Sequence, residues 1–187
     1  MASSPLFIKF KDTYSLLSYA TEVIGIHEGF RSKRYKDTKG IWTIGYGFNL
    51  ESGTFSRENV VKWSKFGISI EEANAVLREH IKAVLEKLLR MPWYVQLSKA
   101  RQLAILDMSF NMGIGWINRW SNTIGFIKAG NYHAAGKAIR ASAYAKQVGA
   151  RALRNAIALE QDRYPIATAT ARELVLISND PHYNKEI

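Results

Sequence analysis

The sequence predicts an α+β fold dominated by helix, and three stretches carry that prediction. Ser69 and Glu72 form a capping-box pattern ahead of an amphipathic run. Residues 103–112 are apolar almost all round, as in a buried central helix. Two β-prone segments flank the turn formers Asp37-Thr38-Lys39-Gly40.

Taken in chain order, Leu17, Ala20, Val23 and Ile24 recur at helical spacing between Tyr14 and Glu28, and Gly25 and Gly29 weaken the end of that run. A helix stopping near Gly29 is expected. Residues 34–47 then read as a small hairpin or three-stranded sheet. After Ser69, the positions Ala73, Leu77, Ile81, Val84/Leu85 and Leu88 trace one apolar stripe along a charged helix that should run to about Arg90, where Pro92 stops it. The central helix from Leu103 to Met112 exits through Gly113 and Gly115. Shorter helices follow, punctuated by Gly130 and Asn131, by Gly149 and by Pro165. The expected organisation is one domain over residues 1–187. Its parts are an N-terminal lobe of about 14–68, a connecting helix of about 69–90 and a helical lobe of about 91–187 onto which the N-terminal helix packs.

The chain has 187 residues, 47% of them hydrophobic, enough for a substantial core. Cysteine is absent, which excludes disulfides and thiolate metal sites, and His27, His80, His133 and His182 lack ligand spacing. No metal and no cofactor are expected. The net charge of +10 points to an anionic partner, which could be nucleic acid, a membrane surface or a wall polymer. Between Gly113 and Arg172 nine basic residues face two acidic ones, so an anion would be drawn to the C-terminal half, with Lys146, Arg151 and Arg154 as candidates for the contact. A basic helix face is, by default, simply solvated. Trp93, Trp116 and Trp120 read as core or interlobe packing.

Two carboxylic residues suit acid–base chemistry. Glu28 falls at the C-terminal end of the first helix, where the dipole is negative and Ile24, Ile26 and Phe30 can exclude solvent; both effects favour a protonated carboxyl. Asp37 stands among Lys33, Arg34, Lys36 and Lys39, which favour its ionised form. Such a pair divides the roles of acid and base at one pH. Thr43, across the hairpin, could bring a hydroxyl near Asp37 to hold a water molecule. Singly, each residue has a plainer reading: a solvated helix-end acid, a turn former, a β-branched strand residue.

Together, Glu28-Gly29-Phe30-Arg31, Tyr35-Lys36-Asp37-Thr38-Lys39-Gly40 and Trp42-Thr43-Ile44-Gly45-Tyr46-Gly47 closely resemble the phage-type lysozymes of glycoside hydrolase family 24. Residues 106–113, 120–123 and 147–155 extend the resemblance, which covers Gly25 to Asp162. It implies a lysozyme-like fold with its two lobes joined by the long helix. It implies an endolysin that hydrolyses the β-1,4 bond between N-acetylmuramic acid and N-acetylglucosamine with inversion, with Glu28 as acid, Asp37 as base or electrostatic partner and Thr43 as water holder. By position, Asn49, Phe110, Asn111 and Thr123 would line the saccharide cleft. Phe110 also reads as core and Thr123 as a helix cap. One departure stands out: after Gly47, where many members carry His, this chain has Phe48.

A lytic transglycosylase would cut the same bond with one Glu and no water-directing Asp, so Asp37 and Thr43 argue against it. A non-enzymatic basic protein acting on membranes or nucleic acid is the other rival, and no nucleic-acid motif supports it. The expected partner is peptidoglycan, with transient contact to anionic membrane or wall polymers through the basic C-terminal half; the protein is expected to be a monomer with no nucleic-acid partner. Lys9, Lys11, Asp12 and Glu22 interrupt the first thirty residues, leaving no apolar segment long enough for a signal peptide or a membrane span. The product is therefore expected in the host bacterial cytoplasm until a separate membrane-opening protein releases it to the wall.

Overall fold

A computed structural model describes residues 6–180. The fold is α+β and mainly helical, as the sequence predicts, with a single three-stranded antiparallel sheet among the described residues, ordered β1-β2-β3.

Helix α1 (Leu16–Glu28) starts on Ser15, whose side chain accepts from Ser18 N, and ends where Gly29 takes φ 73°. A positive φ is cheap for glycine and costly for other residues, so the stop is written into Gly29. Strands β1 (Arg31–Lys36) and β2 (Trp42–Gly45) form the expected hairpin. Its turn closes with Gly40 N donating to Asp37 O at 2.9 Å. The register pairs Tyr35 with Thr43 and Lys36 with Trp42, with an irregularity towards Arg31. Strand β3 (Phe48–Asn49) adds to β2, setting Thr43 opposite Asn49. Between them Gly45 is obligatory: its φ is 65°, and a Cβ there would meet the Phe48 ring at 2.8 Å.

Helix α2 (Arg57–Phe66), capped by Ser56, is an element the sequence pattern does not announce, because Trp63 is its one buried residue. Helix α3 (Ile70–Leu88) has the full Ser69–Glu72 capping box and buries Ala73, Leu77, Ile81, Leu85 and Leu88. Burying each of the leucine and isoleucine side chains contributes roughly 1.5–3 kcal/mol. Pro92 begins α4 (Pro92–Val95). The central helix α5 (Lys99–Met112) starts four residues before the expected Leu103, because Ser98 caps it. It is followed by α6 (Trp116–Arg119), α7 (Ser121–Lys128), α8 (Tyr132–Arg140), α9 (Ala143–Val148), α10 (Ala150–Gln161) and α11 (Ala171–Asn179).

Helix α1 packs on both α3 and α5, and α5 in turn packs on α10. One contiguous apolar cluster runs from Ile44, Phe48 and Trp63 through Leu77 and Leu103 to Ile139 and Leu159. Trp116 is fully buried, and Trp93 and Trp120 pack against this core, as expected of all three. Phe48 is buried among the rings of Tyr46, Phe55 and His80, so an apolar aromatic cluster stands where the resemblance leads one to expect a histidine. Among the described residues, no helix is long and apolar enough to cross a membrane. His182 lies outside the described residues.

Candidate active site

A groove of about 350 Å³ opens beside the sheet, lined by Glu28, by Tyr46 to Asn49 and the loop after it, by Phe55 and His80, and by Phe110 and Asn111 on the last turn of α5. Four residues named from the sequence thus share one cleft: Glu28, Asn49, Phe110 and Asn111. Phe110 is half-buried and also packs against the core cluster, while Asn111 is exposed. Burial holds the imidazole of His80 below its usual pKa.

Neither Thr43 nor Asp37 lines this groove, and Thr43 is buried. Thr43 is the register partner of the cleft residue Asn49, and its hydroxyl donates to Ile41 O at 3.0 Å. Asp37 sits on the same residue: its N–H donates to Ile41 O at 3.0 Å, and its Oδ1 accepts from Ile41 N at 2.9 Å and Lys39 N at 2.8 Å. One peptide segment therefore fixes both side chains. The Thr43 oxygen, its proton spent on a carbonyl, is left an acceptor, and Asp37 Oδ2 has no hydrogen-bond partner among the described residues. The basic neighbours that the sequence sets around Asp37 do not pair with it: Arg34 and Lys36 lie over the Trp42 ring, at 4.4 and 5.3 Å from its centroid. Backbone N–H groups, not lysines, hold this carboxylate.

The surroundings of Glu28 also differ from expectation. Ile26 is 54% exposed, and both Ile26 and Phe30 line a separate groove, so they do not shield Glu28. What meets Glu28 is Arg151, whose Nη1 donates to Oε1 at 2.7 Å, while the Glu28 side chain stays 24% exposed. Behind that pair lies a polar cluster that sequence reasoning missed. Asp107 of α5 is completely buried. It accepts from Arg151 Nε on both oxygens at 3.1 Å, from Arg151 Nη2 at 2.8 Å and from Asn155 Nδ2 at 2.7 Å. His27 Nδ1 stands 3.1 Å from Asp107 Oδ1. Burial alone would push the Asp107 carboxyl up, but the hydrogen bond from His27 and the Arg151 charge outweigh it and hold it well below the carboxylate range. At Arg151 burial would lower the pKa, but the charges and hydrogen bonds of Asp107 and Glu28 outweigh it and raise it.

Two of the three basic residues considered for an anionic partner are therefore turned inward. Arg151 serves Glu28 and Asp107, and Arg154 donates to the carbonyls of Ile166 at 3.1 Å and Ala169 at 2.6 Å. Thr123 is not part of the cleft either. It is buried on α7 one turn before Ile127, on the helix face turned to the core, and lines a separate depression with Trp120 and Ser142. Nor does it cap its helix, since α7 has no side-chain cap.

A family model described as phage lysozyme matches residues 25–160. Among curated proteins, the pre-baseplate central spike protein Gp5 of Enterobacteria phage T4 is 27% identical over 150 residues, an alignment covering 71% of this chain and 26% of that protein. The chain spans about a quarter of the length of this relative.

Proposed function

The chain belongs to the phage lysozyme family, and from that premise we propose that it hydrolyses the glycan strands of bacterial peptidoglycan, cutting the β-1,4 bond between N-acetylmuramic acid and N-acetylglucosamine. The observation that supports this reading best is the common peptide at Ile41, which ties Asp37 and Thr43 together on one hairpin, while Asn49, the register partner of Thr43, lines the groove that contains Glu28.

Glycoside hydrolysis needs an acid for the leaving oxygen and, for inversion, a base that activates water on the opposite face of the sugar. Glu28 is the acid. Its Oε1 is held by Arg151 and its Oε2 has no partner among the described residues, leaving that oxygen for the glycosidic bond. Asp107 takes three of the hydrogen bonds of Arg151 and balances its charge, so the guanidinium orients Glu28 more than it adds net positive charge. Asp37 Oδ2 accepts one proton of the attacking water, and the Thr43 oxygen accepts the other. A water fixed at two points reacts in place of the sugar's own hydroxyl, which favours hydrolysis over transglycosylation. Asn49, Phe110 and Asn111 contact the saccharide along the groove wall. The role is host cell lysis. The protein reaches the wall from the cytoplasm through a separate membrane-opening protein, and the remaining surface charge of a +10 chain attracts the anionic wall.

Mass spectrometry and NMR of the fragments released from purified peptidoglycan test this reading. Reducing N-acetylmuramic acid ends, formed first as the α-anomer, are expected. Anhydro ends would make the protein a transglycosylase, and no release at all would leave a basic binding protein.

A further inference from the structure

His27 immediately precedes Glu28 on α1, and consecutive helical residues leave the axis roughly 100° apart, so the two side chains take different directions. Glu28 opens to the cleft, whereas the His27 side chain is only 4% exposed. Its Nδ1 is 3.1 Å from Asp107 Oδ1. An ionised carboxylate can only accept, so Nδ1 carries the proton and donates. Nε2 is buried and has no partner among the described residues. A buried polar atom without a partner is disfavoured, so packing alone would favour an apolar residue here. What the imidazole brings to this position is the donor at Nδ1.

That donor meets the very oxygen that receives Arg151 Nη2 at 2.8 Å. Asn155 holds the other oxygen, and Asn155 is itself fixed by the Tyr164 hydroxyl at 2.8 Å. With Nε and Nη2 committed to Asp107, the plane of the guanidinium is set, and Nη1 is left to grip Glu28 at 2.7 Å. We propose that His27 is a positioning residue for Glu28, acting through Asp107 and Arg151 to fix the carboxyl in the cleft. The inference rests on Glu28 being the acid of the reaction. Without the Nδ1 donor, Asp107 keeps only Arg151 and Asn155, the Asp107–Arg151 pair loses its anchor to α1 and shifts as a unit, and the glutamate loses its alignment with the glycosidic oxygen. A misplacement of about 1 Å is enough to cost a large factor in rate.

The test is steady-state kinetics on solubilised peptidoglycan strands, with circular dichroism confirming that each variant is folded at the assay temperature. His27→Leu is expected to lower kcat by about tenfold or more with KM within about twofold, the signature of a group that acts on the reacting geometry and not on substrate binding. His27→Asn, whose side-chain N–H falls where Nδ1 stood, is expected to regain a large part of that loss. In an Arg151→Met background His27→Leu should have no further effect on the kcat of the folded protein, since the path to Glu28 is already cut. If His27→Leu does not fold, His27→Gln, which carries its N–H further out, replaces it with the same expectation. A His27→Leu protein with kcat near that of the wild type, alongside an inactive Glu28→Gln, overturns the inference and spares the role of Glu28. Equal loss from His27→Leu with and without Arg151 overturns the route. An active Glu28→Gln overturns the reading beneath both.

Discussion

Replacing Arg151 by methionine should expose how much the buried cluster depends on one guanidinium. The side chain is 9% exposed, and it supplies three contacts to Asp107 and one to Glu28. After its removal the fully buried Asp107 keeps only His27 and Asn155. Breaking a buried ion pair by removing one partner costs about 3–5 kcal/mol, because the remaining charge is left uncompensated. For a chain of this size that corresponds to a fall in Tm of about 6–20 °C. Urea denaturation followed by tryptophan fluorescence gives the free energy directly. Its pH dependence carries the second half of the prediction. The folded-state pKa of Asp107 is depressed, so the stability it brings is fully present above its unfolded value of about 3.9 and is lost as pH falls through the lower folded value. The gap between wild type and Arg151→Met should therefore narrow as pH is lowered below about 4. A loss below about 1 kcal/mol at neutral pH, the size of an exposed pair, or a gap that does not respond to acid, would refute the reasoning.

Two further outcomes follow from packing and burial. A Cβ added at Gly136 would collide with Glu160, which pairs with Arg140 at 2.7 and 3.0 Å, and Arg140 also holds Ser178 of α11 at 3.2 Å; Gly136→Ala should therefore cost about 1–3 kcal/mol by overpacking, read by thermal melting. Burial raises the pKa of Tyr94, Tyr144 and Tyr164, so the folded state favours their neutral forms, and the associated stability is complete below the unfolded value of about 10 and lost as pH rises beyond it. Ionisation of these phenols in an ultraviolet titration should then coincide with loss of the helical circular dichroism signal.

The elements legible in the sequence were those whose signals are local. The end of α1 follows from Gly29, the start of α3 from Ser69 and Glu72, and the hairpin from its Asp37–Gly40 turn. Helix α2 escaped because it buries a single residue and therefore shows no stripe. The site divides in the same way. Glu28, Asp37 and Thr43 are close in sequence and fall in the three neighbouring segments of one motif. The partner of Glu28 lies 123 residues away, and nothing in the chain marks Arg151 as an inward-facing base. Asp107 was the one available clue: an acid in the middle of an almost wholly apolar helix must find a counter-charge, and Arg151 and Asn155, one turn apart on α10, supply the donors. Thr123 lines a separate depression from the cleft, because a motif position does not specify which face of a short helix turns inward.

The most direct test of the account is the initial rate of clearing of purified peptidoglycan by wild type, Glu28→Gln and Asp37→Asn. A positioned general acid or base contributes about 10²–10⁴-fold, so each substitution should lower the rate by at least about a hundredfold while the protein stays folded and still binds the wall. A folded Glu28→Gln variant that clears peptidoglycan at close to the wild-type rate would contradict the assignment on which the mechanism stands.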